Sequence, residues 1–344
     1  MIGFRAAAYE YIATGHLMRC IAIAEKFLEK GEKCLFLLAE EKETQKLRDR
    51  NLPYRILHTK WNEMESEEEV MKKVIQEEQL DWLLVDSYQA TDRYLSFLNQ
   101  LVPVCYVDDM GVEKYHVSAL LHYSQWPDDY DYQVKYEDTK VLLLAGMQYT
   151  PLRKEFSENT EKEERMHSIL ITTGGTDHLD VTGRLLRYCI DREAFASYDF
   201  QVIVGSMNQN IEELRIIAQN HPNVELHQNV KNMSRYMRSC EMAVSAGGTT
   251  LFELCACKIP TVCFSMADNQ KDFTRAMGKR QIMLYAGDAR EEKMIEKEIA
   301  DRLVFFRNHP AERAEYAERR HRIVDGRGTE RIVKTFLDIK ESRI

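Results

Sequence analysis

No apolar stretch in this 344-residue chain approaches the roughly 20 residues that span a bilayer, so no transmembrane helix is expected. Its first residues, Met1-Ile2-Gly3-Phe4-Arg5, lack a basic region followed by a long apolar run, and no secretory leader is expected either. There is no C-x-x-C pair among the eight cysteines; Cys255 and Cys257 are one residue apart and no histidine pair follows them. Scattered thiols in apolar surroundings read as reduced, buried cysteines of a cytoplasmic protein rather than as disulfides or zinc ligands. A basic footprint is missing as well. Residues 1–150 hold 17 Lys and Arg against 26 Asp and Glu, a net of −9, and the remainder balances at 30 of each. An acidic first half argues against a nucleic-acid partner and against docking on anionic lipid. Short repeats and low-complexity segments are absent, and no set of His and acidic residues has metal-ligand spacing, so no metal or other cofactor is expected.

What is present is a soluble globular composition, 44% hydrophobic and 30% charged, in a chain long enough for two domains. Apolar strand-like runs alternate with helical periodicity from end to end. In the first series, strands are expected over 2–8, 34–39, 54–58, 82–86 and 104–107, with helices over 17–29, 41–50, 67–78 and 92–100. A second series starts near 168, with strands over 168–172, 200–204, 224–227, 242–244 and 260–265. Helices are expected there after the 174–177 corner and over 211–220 and 251–256, then a charged helical tail over 291–344. Continuous apolar strands between helices imply parallel sheets covered on both faces. The expected architecture is α/β, two Rossmann-like doubly wound domains facing across a cleft. Residues 1–147 form the first, polar residues 148–165 connect, and residues 166–344 form the second with the C-terminal helices.

The most informative stretch is Ser245-Ala246-Gly247-Gly248-Thr249-Thr250-Leu251-Phe252-Glu253. It joins an apolar strand to a helix. A glycine pair there lets an anion approach the backbone, where amides and the positive end of the helix dipole meet it. The threonine hydroxyls add donors, and Glu253 could accept hydrogen bonds from a ribose diol. Polar clusters close the other strands too: residues 9–16, Asp86-Ser87-Tyr88, Asp108-Asp109, Gly174-Gly175-Thr176-Asp177 and Asp268-Asn269-Gln270. Doubly wound sheets bind ligands at such strand ends. His16, at the first strand-to-helix corner, is a candidate base, since a helix N-terminus favours neutral imidazole. One aspartate is expected to orient His16 and the others to cap helices; Tyr88 reads either as a sugar-stacking phenol or as core.

In order along the chain stand Gly15-His16 with Arg19-Cys20, Asp86-Ser87-Tyr88, Val107-Asp108-Asp109 and Tyr149-x-x-Leu152-Arg153-x-Glu155-Phe156. They are followed by the 174–177 glycines, the 247–253 motif, Asn269-Gln270 and Asp325-Gly326-x-Gly328-x-x-Arg331. This ordered set, from about residue 3 to about 334, resembles the UDP-2,4-diacetamido-2,4,6-trideoxy-β-L-altropyranose hydrolases of pseudaminic acid biosynthesis, of GT-B fold. Spore-coat polysaccharide proteins share these motifs. The resemblance implies a metal-independent, inverting hydrolase that releases UDP by attack of water at the anomeric carbon, with His16 as base. It implies sugar contacts from Gly15, Arg19, Asp86, Tyr88, Asp108, Asn269 and Gln270. UDP contacts are implied from Gly174, Gly175, Val230, Met233, Gly247, Gly248, Thr249, Thr250 and Glu253, the uracil lying along 228–233. The implied partner is a UDP-sugar, and the enzyme is expected as a monomer. The chain departs from the family beside His16: where R-A-D-x-S is usual it has Arg5-Ala6-Ala7-Ala8-Tyr9, and Ala13 replaces a glycine. These changes bear on the sugar. The alternatives are a glycosyltransferase of the same fold using a UDP-sugar for surface or spore-coat polysaccharide, and a non-catalytic nucleotide-sugar-binding protein. Retention of His16 and Asn269 disfavours the latter.

Overall fold

A computed structural model describes residues 1–7, 14–42, 44–111, 113–123, 132–157 and 166–341. The chain divides into two compact units. One comprises residues 1–153 together with those from Arg327 onward, and the other is Lys154–Gly326.

The first unit is built on seven parallel strands: β1 (Ile2–Ala6), β2 (Cys34–Leu38), β3 (Tyr54–Ile56), β4 (Trp82–Asp86), β5 (Val104–Val107), β6 (Ala119–His122) and β7 (Leu142–Ala145). Their order is β3-β2-β1-β4-β5-β6-β7. All five residues of β1, β2 and β4 are buried, the signature of central strands covered on both faces. The order reverses between β1 and β4, and their register runs from Ile2 beside Trp82 to Ala6 beside Asp86. The end of β4 thereby lies beside the first turn of the helix Thr14–Glu29. That pairing of a strand end with a topological switch point is where this sheet type offers a crevice.

The second unit has β8 (Met166–Thr172), β9 (Asp199–Ile203), β10 (Val224–His227), β11 (Cys240–Ala246), β12 (Thr261–Ser265) and β13 (Leu284–Asp288). They are parallel and ordered β10-β9-β8-β11-β12-β13, so the reversal falls between β8 and β11. A continuous core of Ile169, Ile171, Phe200, Val244, Phe264 and Phe306, among others, fills this unit. The α/β fold and the two parallel sheets match the sequence expectation. Strands β6, β7 and β13 extend it.

One boundary differs from the sequence reading. The second domain, expected to run over 166–344, ends at Gly326, and the last helix, Gly328–Glu341, belongs to the first unit. Its apolar face explains this. Ile332, Val333 and Phe336 are buried, and the Phe336 ring meets Trp82 at 4.6 Å and Phe27 at 6.1 Å between centroids. Thr329 Oγ1 donates to Leu152 O at 2.9 Å, and Lys340 reaches Glu32 at 2.9 Å. Gly328 permits the passage, because a Cβ there would lie 2.1 Å from the Thr150 carbonyl oxygen. Of the expected connection 148–165, the helix Lys154–Ser157 belongs to the second unit and residues 158–165 lie outside the described residues. Among the described residues, no helix is long and apolar enough to cross a membrane.

Candidate active site

In the first unit, the start of the helix Thr14–Glu29 and the end of β4 converge. Residues 8–13 lie outside the described residues, so the departures at Tyr9 and Ala13 do too; Ala7, the third departure, is buried. Gly15 has nothing within 4 Å of where a Cβ would stand. His16 follows in the first turn of its helix and is 4% exposed, and Asp86, the last residue of β4, is wholly buried. His16 Nδ1 lies 2.6 Å from Asp86 Oδ1. One turn on, Arg19 donates through Nε and Nη2 to both oxygens of the same carboxylate, and through Nη1 to Asp109 at 3.0 Å and to the Tyr123 hydroxyl. A guanidinium can only donate. Its Nη2 also lies 2.8 Å from His16 Nδ1, and that nitrogen cannot accept from it while donating to Asp86. We assign the proton to Nδ1, facing the buried carboxylate, with Arg19 close because both donors converge on Oδ1. The Nε2 atom of His16 then carries the lone pair, and no hydrogen-bond partner for it is found among the described residues.

Electrostatics fit this assignment. Burial alone would raise the Asp86 carboxyl, but the Arg19 charge and hydrogen bonds overcome it and hold the group well below the usual carboxylate range. Asp86 is therefore an anion. Tyr88 is 45% exposed; its ring meets the imidazole edge-on at 4.5 Å between centroids, and its hydroxyl donates to Asp109 Oδ2 at 3.1 Å. Burial and then the Asp109 charge push the Tyr88 phenol up, so it remains a donor. Tyr88 is thus neither core nor free surface: it walls one side of the histidine.

Three residues expected to touch the sugar carry hydrogen bonds within the protein. Asp86 and Arg19 hold each other and His16. Asp108, also wholly buried, accepts from the amides of Met110 and Gly111 at 3.0 and 2.8 Å and from the Tyr132 hydroxyl at 2.9 Å. It shapes the turn after β5. Sequence reasoning passed over Tyr123, which follows β6; its position at a strand end was the available signal. It also left unpartnered the buried Arg5, whose guanidinium pairs with Glu67 at 2.7 and 3.0 Å, with Thr59 and Tyr94 completing the acid's partners.

The second unit offers backbone where the first offers side chains. Gly247 is buried, and a Cβ there would stand 2.7 Å from Thr274 Cγ2 and 2.8 Å from Gln270 Cβ. Gly248 has φ +148, a conformation side-chain-bearing residues rarely adopt, and open space beside it. The helix Thr250–Ala256 starts there, with the Leu251 and Phe252 amides turning back to the Gly248 and Thr249 carbonyls at 3.1 and 3.0 Å. Thr249 is exposed; Thr250 and Glu253 are half-buried. Gln270 ties this corner to the next, its Oε1 accepting from the Met266 amide at 2.9 Å, while Asn269 stands beside it in the first turn of the helix Asp268–Lys279. At the β8 corner, Gly174 has φ +83, and the carbonyls of Gly174 and Gly175 press so closely on Gly205 that a Cβ there would fall 2.3 and 2.4 Å from them. Asp177 caps the next helix, accepting from Val181 and Thr182 amides at 2.9 and 3.0 Å. Val230 lines a cavity of about 450 Å³ with His227, Asn229, Asn232, Arg235 and Tyr236; Met233 is buried at its base helix.

Residues 169–323 match the glycosyltransferase family 28 C-terminal domain. The UDP-2,4-diacetamido-2,4,6-trideoxy-beta-L-altropyranose hydrolase of Campylobacter jejuni is 23% identical over 285 residues, 80% of this chain and 96% of that enzyme. The chain is thus similar to this hydrolase along most of its length. Among solved structures, Acinetobacter baumannii MurG superposes with a TM-score of 0.67 at 13% identity, covering 98% of this chain and 99% of its own. The kitacinnamycin glycosyltransferase gives 0.68 at 12% identity, covering 98% of each chain. At such identities these likenesses speak for the fold alone, which is the GT-B fold of glycosyltransferases.

Proposed function

We propose that the chain is a UDP-sugar hydrolase of nonulosonic (pseudaminic-type) acid biosynthesis, acting on a UDP-linked diacetamido-trideoxyhexose of the class named for its Campylobacter relative. The observation that carries the reading is the histidine of the first unit, Nδ1 held by the buried Asp86 and Nε2 unengaged among the described residues. Nε2 takes a proton from water as the water oxygen bonds to the anomeric carbon. The bond from that carbon to the β-phosphate oxygen breaks with inversion, giving free sugar and UDP. The second unit holds the UDP. Its diphosphate lies against Gly247, Gly248, Thr249 and Thr250, with the ribose at Glu253 and the uracil at the 228–233 segment beside Val230 and Met233; Gly174 and Gly175 flank the phosphates. Backbone amides and the helix dipole take up leaving-group charge. Asn269 faces the sugar, and Gln270 and Gly15 shape the corners beside it. All eight cysteines are buried and outside disulfides, which suits a cytoplasmic enzyme, here taken as a monomer.

The test is UDP release from a panel of UDP-sugars with no acceptor present. Release from a diacetamido-trideoxyhexose donor, abolished in His16→Asn, supports the reading. The family 28 match favours one alternative, a transferase using the same UDP half. It requires UDP release only when an acceptor is added.

A further inference from the structure

Resting on this reading, we infer that Arg19 is a positioning residue which keeps His16 a neutral base, rather than a contact to the sugar. A wholly buried carboxylate 2.6 Å from an imidazole draws that ring towards its charged form, and a protonated ring cannot take a proton from water. Asp86 is nonetheless needed to fix the tautomer. The geometry resolves the conflict by giving the carboxylate a second, permanent cation. Arg19 grips both Asp86 oxygens, so the anion orients Nδ1–H while its charge is already matched. The other arm of Arg19 is fixed by Asp109 and by the Tyr123 hydroxyl, whose ring also lies under the guanidinium at 5.5 Å. Every Arg19 nitrogen is spent inside the protein, and its side chain is only 10% exposed. Among the described residues, the groups facing the dyad are Arg19 and Cys20 from its own helix, Asp86 and Tyr88 from β4 and its following turn, Cys105 and Tyr106 on β5, Asp109 after β5 and Tyr123 after β6. Cys20 stays a thiol, since burial and then Asp86 push it well up. Among the described residues, Arg19 is therefore the cation set directly on the Asp86 carboxylate.

The experiment uses the full chain with ¹⁵N-labelled histidine, the His16 resonance being assigned by its loss in His16→Gln. Ring protonation is followed by NMR from pH 5 to 9, and in parallel kcat and KM are measured by UDP release from UDP-2,4-diacetamido-2,4,6-trideoxy-β-L-altropyranose. In Arg19→Met the titration of the ring and the acid limb of kcat should move up together by about one to three pH units. KM should change less than about threefold, and Arg19→Met/Asp86→Asn should return the ring to neutral at pH 7. Arg19→Lys, which keeps the charge and loses the grip on both oxygens, should shift it less. If Arg19→Met fails to fold for want of a partner to buried Asp86, the lysine variant and the double variant still decide the matter by the same NMR readout. An unmoved ring titration, or a KM raised tens of fold with the pH profile unchanged, overturns the inference. Absence of UDP release in the wild type would sink the hydrolase reading instead, while the NMR titration still judges Arg19.

Discussion

The two units solve opposite problems with the same sheet type. At the carboxyl end of the first sheet, the site consists of side chains, and nearly every polar atom is committed: His16 to Asp86, Asp86 to Arg19, Asp109 to Arg19 and Tyr88. At the corresponding end of the second, the corners are built from backbone, with Gly174 and Gly248 at positive φ and open space beside both. Side chains move protons at defined atoms; bare backbone accommodates a shape and a charge. The difference teaches where each kind of substitution will be felt. In the first unit an isosteric change that alters one nitrogen should stop turnover and spare binding. In the second, any side chain added to a glycine should weaken binding.

The sharpest break in that comparison is His16→Asn. It should lower kcat by ~10²–10⁴, the range for loss of a positioned base, with UDP affinity by calorimetry and thermal stability nearly unchanged. The acid limb of the wild-type profile should disappear with it. Wild-type kcat in this variant would move the chemistry elsewhere. The mirror-image experiment is Gly248→Val. Its backbone, at φ +148, is strained by any Cβ and more so by a branched one, at a cost of roughly 1–3 kcal/mol. UDP affinity should fall by roughly 10- to 100-fold, while His16 keeps its NMR titration. Equal UDP affinity in Gly248→Val would place the diphosphate away from this corner. Glu253→Ala is the milder test of the same site. Loss of a charge-assisted hydrogen bond to the ribose should weaken UDP by ~1–3 kcal/mol and leave UMP and uridine ranked in the same order. An unchanged ribonucleotide affinity would remove the ribose from Glu253.

Much of this was legible before the fold was known, and the parts that were not share a cause. Long apolar strands such as Trp82–Asp86 and Cys240–Ala246 announce themselves, and so do glycine pairs that follow them. The helix Ile211–Asn220 and the strand Val224–His227 fall where periodicity puts them. Strand β6 is four residues set among Tyr, His and Ser, and β13 contains Gly287; neither has a run long enough to carry a period. The last helix reads as a charged tail, because its allegiance to the first unit depends on Phe336 finding Phe27 and Trp82, a contact no local pattern records. In the site, residue types at strand ends were visible, and so was an aspartate orienting His16, but the other partners were not. That Asp86 and Arg19 turn inward, and Asp108 holds a turn, follows from burial, which spacing does not reveal. Tyr123 was missed for the same reason.

The smallest expected effect concerns a pair that looks like the Arg19–Asp86 grip but works differently. At the end of β13, Asp288 accepts from the Arg290 amide at 3.0 Å and from its guanidinium at 2.9 and 2.7 Å, and Arg290 passes a second arm to the exposed Asp268 at 2.6 Å. The Arg290 hydrogen bonds outweigh the cost of burial and lower the Asp288 carboxyl to about 2. A depressed acid contributes stability above its ordinary value of about 4, and that contribution is lost as pH falls through about 2. Because Arg290 is 30% exposed, water and salt screen much of the attraction, so the contribution at neutral pH should be only ~1 kcal/mol. Urea unfolding of Asp288→Asn should show that deficit at pH 7, shrinking between pH about 4 and about 2 and reduced by added salt. No change in kcat is expected, since this pair steadies the loop before the helix Ile295–Asn308 and the start of the one carrying Asn269 without touching His16. A deficit that ignores both pH and salt would mean that Asp288 acts through packing, and the likeness to the buried grip on Asp86 would then be one of geometry without its electrostatics.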